Sequence, residues 1–88
     1  MNINELKNKT ILLFGRPRAF SLDEFDSQMK FNDIRLVKEF SEEVVLSVDG
    51  KMMTPYEQIA SDELYERKVP SVTIDVLEKE LAKFLDKD

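Results

Sequence analysis

Thr10-Ile11-Leu12-Leu13-Phe14-Gly15 is an uncharged run closed by a glycine. Its length and β-branched start predict a strand buried on both faces, as in the middle of a parallel sheet. Arg16-Pro17-Arg18 cannot continue it smoothly, so a loop follows. Phe20-Ser21-Leu22-Asp23-Glu24-Phe25 then opens a helix. Ser21 is placed to cap the N–H of Glu24, Glu24 to reach back to Ser21, and Phe20 to pack on Phe25. Leu22, Phe25 and Met29 fall on one face at helical spacing, and Asn32-Asp33 marks the exit.

Further out, Ile34 to Phe40 alternates loosely and predicts a partly exposed strand. Val44-Val45-Leu46-Ser47-Val48 predicts a buried one, closed by Asp49-Gly50. The connection between them has two readings. Ser41-Glu42-Glu43 either closes an antiparallel hairpin, or the second strand stops near Val37 and the third lies parallel elsewhere in the sheet. Thr54-Pro55-Tyr56-Glu57 is a second capping box with proline at the first helical position. Tyr56, Ile59, Ala60 and Leu64 are its expected inward face, and Val69-Pro70 ends the segment. Ser71-Val72-Thr73-Ile74 predicts a short strand. Asp75, with Glu78 three residues on, is the expected cap of a last helix whose apolar stripe is Leu77, Leu81, Phe84 and Leu85. The order β-α-β-β-α-β-α predicts an α/β fold, a single four-stranded, mainly parallel sheet flanked by three helices. Residues 1–8 read as a lead-in to one domain spanning 1–88.

Composition narrows the function. Eighty-eight residues support one modest core, and 42% hydrophobic with 35% charged residues is a globular balance rather than a disordered one. There is no cysteine and no histidine, so thiolate metal sites, disulfides, a cysteine nucleophile and an imidazole base are all excluded. No apolar run approaches a membrane span, and a cytoplasmic protein is expected. The net charge is −5, unevenly spread. Residues 1–18 hold four bases against one acid, net +3. Residues 39–66 hold one base against eight acids, net −7. The domain is expected to be electrically polarised.

The element order at this length resembles the BRCT domain, from about Leu6 to Leu85. Lys9 to Gly15 is similar to that family's first strand and following glycine, and Val44 to Val48 to its third strand. Ala60 resembles the small residue of its second helix. Val72-Thr73-Ile74-Asp75-Val76-Leu77 resembles its last strand and the start of its third helix. Leu77 stands where the family usually has tryptophan, and Phe31-Asn32-Asp33 where it usually has a Gly-Gly pair. The resemblance implies two helices on one sheet face, one on the other, and a non-catalytic protein-interaction module. Phosphopeptide-binding members carry Ser or Thr before the loop glycine and Lys at the start of the second helix. Here those places hold Phe14 and Tyr56, which counts against phosphopeptide recognition; Gly15 alone is retained.

Candidate binding residues are Gly15, Arg16, Arg18, Lys51 and Thr54. The first three form a loop ahead of a helix N-terminus, where two guanidiniums beside free backbone N–H groups would suit an anion. Lys51 and Thr54 follow the third strand, at the sheet edge where open α/β sheets take ligands. The plainer alternative is that these side chains are solvated or pair with surface carboxylates. The paired acids Glu42-Glu43 and Asp62-Glu63 read as surface charge, and one of Met52 and Met53 is expected to fill the core. No metal, cofactor or catalytic constellation is expected. The first partner class is a protein, met through a groove near the Arg loop and the second helix; the second is DNA, through the basic edge around Arg16 and Arg18. A homodimer stays open, as does a place within a larger protein.

Overall fold

A computed structural model describes residues 3–85, with side chains through Lys83. The elements are β1 (Thr10–Phe14), α1 (Leu22–Phe31), β2 (Arg35–Val37), β3 (Val44–Asp49), α2 (Pro55–Glu66), β4 (Ser71–Thr73) and α3 (Ile74–Leu85). The sheet order is β2-β1-β3-β4, and every strand pair is parallel. The fold is therefore the expected α/β arrangement. Among the described residues no helix is long and apolar enough to cross a membrane.

β1 is buried at all five positions because it is covered on both faces. Its side chains alternate between two cores, as a strand must. Ile11 and Leu13 join Phe25 and Met29 of α1 and Leu77 and Leu81 of α3. Leu12 and Phe14 join Leu64 and the partly buried Ala60 of α2. Two helices thus cover one face and one covers the other.

The β2–β3 ambiguity resolves to the early stop. β2 ends at Val37, and a loop carries the chain past β1, so that β3 pairs with β1's other edge. Both predicted capping boxes form. The Ser21 hydroxyl accepts from the Glu24 N–H at 3.1 Å while the Glu24 carboxylate accepts from the Ser21 N–H at 3.3 Å. Ser21→Ala is expected to cost about 1 kcal/mol through loss of this cap, read as a lower urea midpoint; an unchanged midpoint would refute the assignment.

Four local expectations are corrected. Residues before β1 are not a bare lead-in: Ile3–Leu6 form a 3₁₀ turn, with Ile3 and Leu6 buried in the α1/α3 core. On α1, Phe25 and Met29 are buried but Leu22 is 44% exposed, since it sits in the first turn at the margin of the core. On α2 the inward face is Ala60, Ser61 and Leu64, whereas Tyr56 and Ile59 point outward. α3 begins at Ile74, so Asp75 lies in the first turn, where its charge suits the helix dipole. The side chains of Phe84 and Leu85, the end of the expected stripe, lie outside the described residues.

Ser47 is fully buried on β3, and its hydroxyl has no hydrogen-bond partner. Its neighbours Leu46 and Val48 face the α1/α3 core, so Ser47 faces α2. Ser47→Ala removes an unsatisfied polar atom at little cost in volume. It is expected to be neutral or stabilising by up to about 1 kcal/mol, measured by thermal melting.

Candidate functional site

The loop that links β1 to α1 was expected to offer free backbone N–H groups to an anion. It offers none. Gly15 N–H donates to the Glu57 carboxylate at 2.7 Å, and Arg16 N–H to the Lys51 carbonyl at 2.8 Å. Pro17 has no N–H. The N–H groups of Arg18, Ala19 and Phe20 all donate to one oxygen of Glu78, at 3.1, 2.5 and 3.3 Å. Ser21 N–H is taken by Glu24 within the capping box. Two carboxylates of the chain itself, Glu57 from α2 and Glu78 from α3, occupy the places an external anion would fill.

The candidate side chains are brought together only in part. Arg16 and Lys51 are joined by a pair of backbone hydrogen bonds, and both are exposed. Neither side chain has an ionic partner among the described residues. Arg18 pairs with Asp75 at 3.5 Å, an exposed contact of small worth. Thr54 is committed to capping α2, its hydroxyl accepting from the Glu57 N–H at 3.1 Å. Gly15 itself is buried. It has a φ of +71°, and both its backbone polar groups are held by charged side chains, since Lys38 Nζ donates to its carbonyl at 2.9 Å. Gly15 therefore acts as a tie point between β1, α2 and the segment after β2 rather than as a ligand contact.

Glu57 is the residue that makes this closure. One oxygen accepts from Gly15 and the other from the Thr54 N–H at 3.0 Å. Those two bonds, with smaller help from the Thr54 hydroxyl and Lys38, hold its pKa below the usual 4.5, against an opposing effect of burial. A lowered folded value means that the contribution is present above about pH 4.5 and is lost as pH falls through the folded value. Glu57→Gln is expected to be less stable than the parent at neutral pH, and the gap in melting temperature should shrink on acidification. A gap that stays constant with pH would refute this role.

Beside α2 lies an open groove of about 340 Å³. Its floor is Leu12 and Phe14 of β1 with Ala60 and Leu64 of α2, and its rims are Tyr56 and Phe40. At the N-terminal end of α2 it is bounded by the Lys38–Gly15–Glu57 tie. At the C-terminal end Arg67 lies 5.5 Å over the Phe40 ring, a cation–π contact. The rims are open to solvent: Tyr56 is 85% exposed and Phe40 41%.

The other polar and methionine residues around the end of β3 have structural roles. Asp49 accepts from the Ser61 hydroxyl at 2.8 Å, fastening α2 to the end of β3. Met53 packs on the α2-side core, while Met52 is 80% exposed with a φ of +59°. Among the described residues no three metal-type ligands come together. The sequence points to a groove near the Arg loop and the second helix but not to its aromatic rim, because helical spacing puts Tyr56 in the core and alternation puts Phe40 in a strand. An aromatic rim is not distinguishable from a core aromatic by spacing alone. Compared with known proteins, the chain matches no family model and no curated sequence.

Proposed function

We propose that this chain is a non-catalytic protein-interaction module of BRCT-like build, acting in the cytoplasm alone or as one domain of a larger protein, and that its contact surface is the groove along α2. The observation that carries the reading is the contrast between the two sites. The loop at Gly15 is internally saturated, whereas the groove leaves two aromatic side chains exposed around an apolar floor. Exposed aromatics around a concave apolar surface are what binding hot spots are made of. The absence of histidine and cysteine supports a non-catalytic role.

The test is selection of binders from a random peptide display library, followed by Ala60→Arg, which fills the groove from its floor. Binders that lose affinity for the variant, while its circular dichroism and melting curve stay those of the parent, support the reading. Binders indifferent to Ala60→Arg would move the contact surface elsewhere.

DNA binding at a nick or end is the second reading. It keeps one observation: Arg16 and Lys51 are adjacent, exposed and without ionic partners among the described residues. Salt-steep binding to nicked duplex that the Arg16→Ala/Arg18→Ala variant loses would establish it.

A further inference from the structure

We infer that the groove along α2 takes a basic amphipathic helix, with a large apolar side chain seated between Phe40 and Tyr56 and its lysines or arginines over the carboxylates of α2. This rests on the groove being the interaction surface.

The first support is the pattern on α2 itself. Ile59 follows Tyr56 at a spacing of one turn and is 58% exposed, so an apolar track continues out of the groove along the helix. Glu63 and Glu66 follow Ile59 on the same flank at helical spacing, with Asp62 beside them. All three are exposed, and none makes an ion pair among the described residues. A face that is apolar at its start and acidic along its length complements a segment that is apolar on one side and basic on the other.

The second support is which charges are already committed. The cations lining the groove are Lys38 and Arg67. Lys38 is held by the Gly15 carbonyl, and Arg67 lies over Phe40. Glu57 is likewise engaged, by Gly15 and Thr54. Lys38 and Arg67 keep their positive charge and offset Glu39 and Glu57 within the groove, so the acidic excess lies beside it, on the exposed flank of α2 at Asp62, Glu63 and Glu66. An acidic or phosphorylated partner meets repulsion there and finds no free N–H in the neighbouring loop. The same acidic flank disfavours nucleic acid along the exposed face of α2.

The third support is the geometry of the edge. β2 is the outer strand on this side and has only three residues, Arg35–Val37. That is too little ladder for strand addition to supply the affinity, whereas α2 offers 12 residues, about 18 Å of helix. Helix-in-groove recognition suits these dimensions, with anchors at i, i+3, i+4 and i+7.

The experiment titrates the full ¹⁵N-labelled chain with two synthetic helical peptides. They share leucine and phenylalanine anchors and differ only in carrying lysine or glutamate elsewhere. The lysine peptide is expected to bind in the micromolar range and to shift the amides of Phe40, Tyr56 and Ala60. The glutamate peptide should bind at least about tenfold more weakly. A Glu63→Lys/Glu66→Lys variant should weaken the lysine peptide and strengthen the glutamate one, and Ala60→Arg should abolish both. Equal binding of the two peptides in the groove would overturn the basic partner and leave the interaction reading standing. Shifts elsewhere, or binding that survives Ala60→Arg, would overturn both. Sedimentation as a dimer that Ala60→Arg dissociates would assign the groove to a second copy and likewise overturn the proposal.

Discussion

Replacing Gly15 with alanine is expected to destabilise the chain by about 3 kcal/mol, among the largest single-site effects outside the apolar core. Two costs combine. The φ of +71° places this residue in the left-handed region, which a side chain adopts at a penalty of about 1–2 kcal/mol. A Cβ there would also press on the Lys51 carbonyl oxygen, deep inside van der Waals contact, and lie 3.1 Å from Met53 Cγ. The Lys51 carbonyl is not free to retreat, because it accepts the Arg16 N–H. Relief would have to come from moving Gly15, and that would break its bonds to Glu57 and Lys38 and loosen the end of the groove. Urea denaturation gives the stability, and the Tyr56 and Phe40 amide shifts report the groove. Gly15→Asn separates the two costs, since asparagine tolerates the left-handed region but still carries the Cβ. If Gly15→Asn matched the parent, the close approach to Lys51 would be refuted.

Leu77→Ala should cost about 2–5 kcal/mol, with the upper half of that range expected. Leu77 is fully buried where α3 meets α1 and the sheet, among Ile11, Leu13, Phe25 and Met29. These neighbours belong to two different elements, β1 and α1, so no single shift can collapse the cavity, and the cost rises with the volume left empty. The next residue, Glu78, holds the β1–α1 loop through three backbone N–H groups, and any tilt of α3 that filled the hole would pull on that anchor. The expected signature is a large fall in the denaturation midpoint with little change in its slope. A loss below about 1 kcal/mol would show that α3 repacks freely, and the anchoring role given to Glu78 would then fail with it.

Elements whose causes are local were legible in the sequence. β1 was evident from an unbroken apolar run, and α1 and α2 from capping boxes whose partners stand three residues apart. The parallel sheet followed from the alternation of strands with helices, and the early end of β2 stood among the alternatives. The site was much less legible. The residue pattern marks Gly15, Arg16 and Arg18 as a loop at the end of β1, but the anion chemistry it suggests requires free N–H groups. What fills them comes from far along the chain: Glu57 lies 42 residues from Gly15, and Glu78 lies 58 to 60 from the three groups it holds.

Glu57 and Glu78 show where the boundary falls. Both were recognised as third residues of helix starts, where a carboxylate reaches back to its own cap. For Glu57 this is true of one oxygen, while the other is used by Gly15. For Glu78 the local role is replaced by the nest at Arg18 to Phe20. Tyr56 and Ile59 mark the same limit on α2, since helical spacing says which residues share a face but not which face meets the sheet. The sequence by itself determined the main strands and helices, their order and a mainly parallel sheet, because periodicity and capping act within about one helical turn. Only the tertiary structure decided that the loop is closed by the chain's own carboxylates and which side chains floor and rim the open surface along α2. A carboxylate has two oxygens and a helix has several faces, and which of them is used depends on what the topology brings alongside.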